Sequence, residues 1–309
     1  MRVVVALVAA GSLAALQAFE AAPQPPGAPP RPVAAQPAGH PAALPASAPA
    51  PAPAAVDINA LVHRAQSVHR KDAVAWSRFR FHRTVRSERL DDAGAVLQAS
   101  VLEFEIMPMT VGGFDERLLR IEGREPTQAE ITRYREEASF SRHYATLGAA
   151  DTDGGEESGY SLATLLRLSA YKYVGVESLD GVAAHRLDFE PDPVPHGSGV
   201  AAKVTQAMAG SLWLTVDGAH LVRARAATVR PVSLYLGLGK VHSLEVLLEA
   251  APAGAAAPEV YLPRRLMIST NLRVFFSNQH RRRTFSYADF APLASPSAAG
   301  ATRAGGAAP

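Results

Sequence analysis

Gly159-Tyr160-Ser161-Leu162-Ala163 has the outline of a nucleophile elbow, the sharp turn that lifts a serine oxygen above a parallel sheet for acyl transfer. That chemistry needs a strand directly before the serine and strands alternating with helices around it. Neither is present. Asp151 to Gly159 is glycine-rich and acidic, which reads as a mobile loop, and Ser161 is placed to cap a short helix bearing Leu162, Leu165 and Leu166. A serine hydrolase is therefore the weakest of three functional readings. Gly237-Leu238-Gly239-Lys240 has the look of a phosphate loop, but a Walker sequence needs Ser or Thr after the lysine and Val241 stands there.

The ten histidines form no metal-binding spacing. His63 and His69, six apart on one helix, sit roughly 240 degrees around its axis and cannot share an ion. Asp188, Glu190 and Asp192 alternate beside Pro191 and Pro193, where ending a strand explains them better than holding a hard cation. His280-Arg281-Arg282-Arg283 is strand-like, so its charges divide between two faces, and a charged edge that discourages strand aggregation is the expectation. No catalytic residue, no metal ligand and no cofactor is assigned.

The charge balance excludes another class. The chain of 309 residues has a formal charge of +2, yet the tails hold Arg2, Arg31 and Arg303 against Glu20 alone. Residues 57–292 carry 28 basic and 28 acidic side chains, and such a neutral unit is not built to displace counterions from nucleic acid. Zero cysteines exclude disulfides, thiolate chemistry and a lipidated N-terminal cysteine.

The segments that must position any site follow. Residues 1–21 read as a signal peptide: Met1 and Arg2, then an apolar run from Val3 to Leu16 shorter than the roughly 20 residues of a membrane span, then Leu16-Gln17-Ala18 or Phe19-Glu20-Ala21 for cleavage. Residues 22–56 hold twelve prolines and almost no large apolar side chains, so they read as a disordered Pro/Ala-rich linker. Residues 293–309 read as a disordered tail. The 236 residues from Asp57 to Pro292 are one domain's worth of core.

In that domain Asp57 caps a helix whose apolar stripe is Ile58, Leu61, Val62, Ala65 and Val68. The period then changes to two. Phe79, Phe81 and Val85 alternate with polar residues, Leu102, Phe104 and Ile106 with Glu103 and Glu105, and Phe114 to Ile121 supplies a third strand. Thr127 and Glu130 form a capping box for a polar helix toward His143 that lies on the surface or acts as a lid. Asp180-Gly181 and Asp217-Gly218 each separate two alternating runs and so predict hairpins. Long strands over 234–248, 265–276 and 281–290 complete a mainly β (α+β) domain of about 9–11 antiparallel strands with few helices. Helices laid on one face of such a sheet leave room for an apolar hollow. Its candidate lining is Trp76, Phe79, Phe81, Leu102, Phe104 and Ile106, with Leu212 and Leu214 or Trp213 opposite; an ordinary filled core is the competing expectation.

Tyr173-Val174-Gly175-Val176-Glu177, Leu179-Asp180-Gly181, His185 to Pro191 and Gly210-Ser211-Leu212-Trp213-Leu214 resemble the outer-membrane lipoprotein-sorting superfamily (LolA/LolB-like). Val260-Tyr261-Leu262-Pro263 and Tyr287-Ala288-Asp289-Phe290 fit the same pattern, and the similarity covers roughly Asp57 to Pro292. The resemblance implies a curved antiparallel sheet or incomplete β-barrel with helices over its concave face. It further implies a non-enzymatic periplasmic carrier that holds an acyl chain, lipid or lipoprotein there, with envelope membrane proteins as further partners. The missing cysteine separates the chain from the lipid-anchored receptor branch. The carriers' functional arginine falls among Arg78, Arg80 and Arg83, and the resemblance does not choose. The rival expectation is an envelope interaction or sensor module that uses its sheet edge without bound lipid.

Overall fold

The computed structural model describes residues 56–109, 114–136, 169–191, 200–234, 239–255, 257–274 and 277–293. Ser161, Gly159, Asp192 and the proposed signal, linker and tail lie outside them, apart from Val56 and Leu293.

Helix α1 spans Ile58–Trp76, and Asp57 caps it by accepting a hydrogen bond from the Ala60 amide at 3.1 Å. It buries Val62, Ala65, Asp72 and Trp76, one stripe repeating at helical spacing, and leaves His63 and Arg64 in solvent. A second helix over residues 128–136 begins with the expected capping box. The Thr127 amide donates to Glu130 Oε2 at 2.8 Å, the Glu130 amide donates to Thr127 Oγ1 at 3.3 Å, and Arg124 grips both oxygens of Glu130.

Among the described residues eleven strands follow in chain order: β1 Phe79–Leu90, β2 Val96–Pro108, β3 Phe114–Ile121, β4 Ser169–Leu179, β5 Val182–Pro191, β6 Met208–Thr215, β7 Leu221–Thr228, β8 Val232–Leu234, β9 Gly239–Pro252, β10 Tyr261–Val274 and β11 Ser277–Pro292. They form one sheet ordered β3-β2-β1-β11-β10-β9-β7-β6-β5-β4, with β8 paired to β9 beside that path. Every pairing is antiparallel. The outermost strands β3 and β4 do not pair with each other, so the sheet is an incomplete barrel. Register shifts in β1/β11, β2/β3, β9/β10, β4/β5 and β6/β7 are the bulges that bend long strands.

The hairpins depend on local backbone chemistry. Asp180 (φ 51°) and Gly181 (φ 84°) both take the left-handed conformation that a two-residue turn matching strand twist requires. At Asp217-Gly218 the hairpin forms but the turn differs. Residues 216–219 make a wider loop in which Ala219 takes the positive φ (57°), closed by the Ala219 amide on the Thr215 carbonyl at 2.9 Å.

Directly opposed residues share a face, so the registers map the side that the helices cover. One row runs across the sheet as Leu102, Val85, Phe285, Leu266, Leu248, Ala224, Leu212, Leu187 and Tyr173, and it is wholly apolar apart from the tyrosine hydroxyl. Two packed clusters sit on this face. One joins α1 to β5, β6 and β7 through Val62, Ala65, Leu187, Phe189, Leu212 and Ala224 and also includes Leu214. The other gathers Trp76, Phe81, Phe104, Ile106, Leu266 and Phe285. Each large side chain so buried contributes about 1.5–3 kcal/mol.

The helix-covered face of the sheet

The residue types along the covered face are not uniform. A neighbouring row reads Ser100, Ser87, Arg283, Ile268, Val246, Ala226, Gly210, Phe189 and Tyr171. The next opposes Gln98, Arg89, Arg281, Thr270 and Leu244. Where β9, β10 and β4 to β7 contribute, the face is mainly apolar. Where β1, β2 and β11 contribute toward the β1–β2 turn, it is serine, glutamine and arginine.

Val246, Leu248 and Ile268 touch both packed clusters, yet each keeps part of its surface in solvent. They belong to β9 and β10, which are interior strands of the sheet, so their exposure is not that of an edge. The sheet therefore presents a half-open apolar strip at its centre, bounded on both sides by closed packing.

Arg83 stands at the inner end of the polar corner. Its guanidinium donates to Glu116 Oε1 at 3.2 Å and Oε2 at 2.8 Å, lies 4.9 Å from the centre of the Phe104 ring, and leaves its buried Nε without an acceptor. Tyr134, from the helix over 128–136, donates its hydroxyl to the same Glu116 oxygen at 2.9 Å and packs on Phe104. That helix is thereby anchored over the covered face rather than simply lying on the surface. Burial opposes the Arg83 charge, but Glu116 more than offsets it and holds the guanidinium protonated. Burial works the other way on Arg283, largely enclosed and beside Arg281 and Arg83, whose charges add to the destabilisation of its own.

Of the nine residues singled out from the sequence, Trp76, Phe79, Phe81, Phe104 and Ile106 come together in one cluster, with half-buried Leu102 packed against it. Phe104 and Ile106 are 2% and 1% exposed, so they are filled core in this structure. Leu212 and Leu214 belong to the other cluster on the same face. Trp213 does not join them. It lies on the opposite face, where its Nε1 donates to Glu177 at 2.7 Å and Arg186 stacks 5.5 Å from its ring centre. Alternation required this split; only the pairing decides which side is covered.

A further expectation is corrected. The run 280–283 divides between faces as anticipated, but β11 is no edge: β1 and β10 flank it. Arg282 turns to the uncovered face and meets Glu88 at 2.6 Å, while Arg281 and Arg283 turn inward. The pairing of β1 with β11, some two hundred residues apart in sequence, has no local signal, so the sequence reading missed the inward pair. The i, i+2 spacing of Arg281 with Arg283 and of Ser87 with Arg89 was the only available hint. Among Arg78, Arg80 and Arg83, only Arg83 faces the helices and is shielded; the other two are exposed. Asp188 is engaged by Arg186 and by the Ser211 hydroxyl at 2.6 Å, and no group of three metal-ligating side chains occurs among the described residues.

No protein-family model matches the chain, and no curated protein matches it. Solved structures do. A LolA superfamily protein from Nitrosomonas europaea aligns at 11% identity over 78% of this chain and 95% of its own, with a TM-score of 0.29. A putative outer-membrane lipoprotein-sorting domain from Vibrio parahaemolyticus aligns at 8% over 75% and 93%, TM-score 0.31. The MucA/MucB complex of Pseudomonas aeruginosa aligns at 13% over 75% and 99%, TM-score 0.24. The superfamily that the strand and turn motifs resemble is thus among the matches. At these identities and TM-scores, the fold rests on the strand ladders themselves.

Proposed function

We propose that the chain is a non-enzymatic periplasmic binding or carrier protein that holds an acyl chain, of a lipid or a lipoprotein, against the covered face of its sheet. The observation that carries this reading is the half-open strip of Val246, Leu248 and Ile268, which lies between the two packed apolar clusters of the covered face. An acyl chain laid on it gains about 0.8 kcal/mol per methylene removed from water, so a chain of ordinary length needs no polar contact to bind. Leu102 lies apart from the strip, behind buried Val85, Phe285 and Leu266, and the packed residues Phe81, Phe104, Ile106, Leu212 and Leu214 form the closed packing on either side of it. Trp213, on the other face, has no part in this reading. The strand and turn motifs shared with the lipoprotein-sorting superfamily support the same assignment.

The test is displacement of an apolar fluorescent probe by fatty acid, in the wild type and in Ile268→Asn. Saturable displacement that is weakened in the folded variant is the expected result. No probe binding, or binding untouched by Ile268→Asn, sinks the reading. The envelope-interaction alternative then takes its place, through β4, an outer strand on which Val174 and Val176 are exposed.

A further inference from the structure

Among the registered positions that β1, β2, β3 and β11 turn toward the helices, the only carboxylate is Glu116, and Arg83 engages it. The same strands turn three further arginines to that side. Arg89 and Arg281 are directly opposed across a strand pair, an arrangement that like charges disfavour, and Arg283 follows Arg281 on the same face. Arg283, unlike those two neighbours, makes no hydrogen bond or ion pair with any described residue. A half-buried guanidinium without an acceptor among the described residues is costly unless something else supplies one.

The surroundings fit an oxyanion. Ser87 opposes both Arg283 and Ser100, so the row that runs from the arginine toward β2 carries two hydroxyls on the same face. Arg281 and Arg283 are both half-buried, with the Arg281 Nε enclosed, while Arg89 is exposed, so the corner opens toward the β1–β2 turn at Arg89. On its other side Arg283 is directly opposed to Ile268, and Ile268 to Val246, so the cationic corner and the apolar strip adjoin. Guanidinium groups bind the planar or tetrahedral oxygens of carboxylate and phosphate in two-toothed fashion.

We propose that Arg281 and Arg283, with the Ser87 and Ser100 hydroxyls, hold the phosphate or carboxylate head of an anionic amphiphile whose chain lies on Ile268 and Val246. This rests on the chain-binding reading above and adds the charge of the ligand.

The experiment compares dodecyl phosphate with dodecyl maltoside as competitors for a bound apolar fluorescent probe, at low ionic strength, with inorganic phosphate measured separately by calorimetry. Dodecyl phosphate is expected to displace the probe at about tenfold lower concentration or less, the ratio that one charge-assisted hydrogen bond supplies. Arg283→Gln is expected to erase that preference, leave displacement by dodecyl maltoside unchanged, and raise the thermal midpoint of the ligand-free protein. Equal displacement by both amphiphiles overturns the arginine corner while leaving chain binding intact. A preference that survives in the Arg281→Gln, Arg283→Gln double variant overturns it too. Inorganic phosphate binding as tightly as dodecyl phosphate assigns the corner to a free anion and overturns the headgroup. If phosphate binds and neither amphiphile does, chain binding fails and the oxyanion corner stands alone.

Discussion

Arg83 and Glu116 meet in a two-toothed ion pair on the helix-covered face, at 3.2 and 2.8 Å, and Tyr134 adds a third hydrogen bond to the same carboxylate. The pair couples β1 to β3 across β2 and ties the helix over 128–136 to the sheet. It is shielded enough that losing one partner leaves the other poorly satisfied. Glu116→Gln should cost about 2 kcal/mol in urea denaturation, and Arg83→Met should cost less in that background than in the wild type, with a coupling of about 1 kcal/mol. Additive costs would show that the two side chains are neighbours without being partners.

Glu88 carries the clearest pH dependence. It is almost fully buried on the uncovered face between Arg282, at 2.6 Å, and Arg86, at 2.8 Å. The hydrogen bond from Arg282 is the main influence holding its carboxyl below the usual range, with Arg86 assisting against burial. A depressed carboxylate pKa contributes stability above the pKa of the unfolded chain, and that contribution is lost as pH falls through the folded one. Glu88→Gln should therefore be less stable than the wild type by about 1.5–3 kcal/mol at neutral pH, with the gap narrowing below about pH 4. A gap that stays constant across that range contradicts the assignment.

Gly210 sits where β6 passes β7 at close quarters. A Cβ there would lie 1.9 Å from the Arg225 carbonyl oxygen and 2.9 Å from the Ala226 Cα, both backbone atoms that cannot swing aside. Gly210→Ala should force β6 from β7 and cost about 3 kcal/mol or more, read as a lower denaturation midpoint or loss of soluble protein. A change below about 1 kcal/mol would mean that the two strands are not held at this separation.

What the sequence showed was what short stretches decide. Asp57 as a cap, the Thr127 and Glu130 box, the Asp180-Gly181 turn and the strand Phe114–Ile121 each depend on neighbours within a few residues, and each is present as read. The hairpin at Asp217-Gly218 is present as well, with a wider loop in which Ala219 rather than Gly218 takes the positive φ. Strand partners depend on contacts distant in sequence. Without the β1–β11 pairing, the basic run could only be placed at an edge, and neither Arg83 nor Arg283 could be assigned to the covered face. The same gap left Leu212, Trp213 and Leu214 undivided between faces, although their alternation already required a division.

The central claim is that an acyl chain occupies the covered face, and native mass spectrometry of the full chain recovered from a bacterial periplasm tests it most directly. The account predicts adducts of discrete lipid mass, extractable into organic solvent and depleted in Ile268→Asn. Spectra that show only the bare polypeptide, in a preparation that also fails to bind an apolar probe, would contradict it.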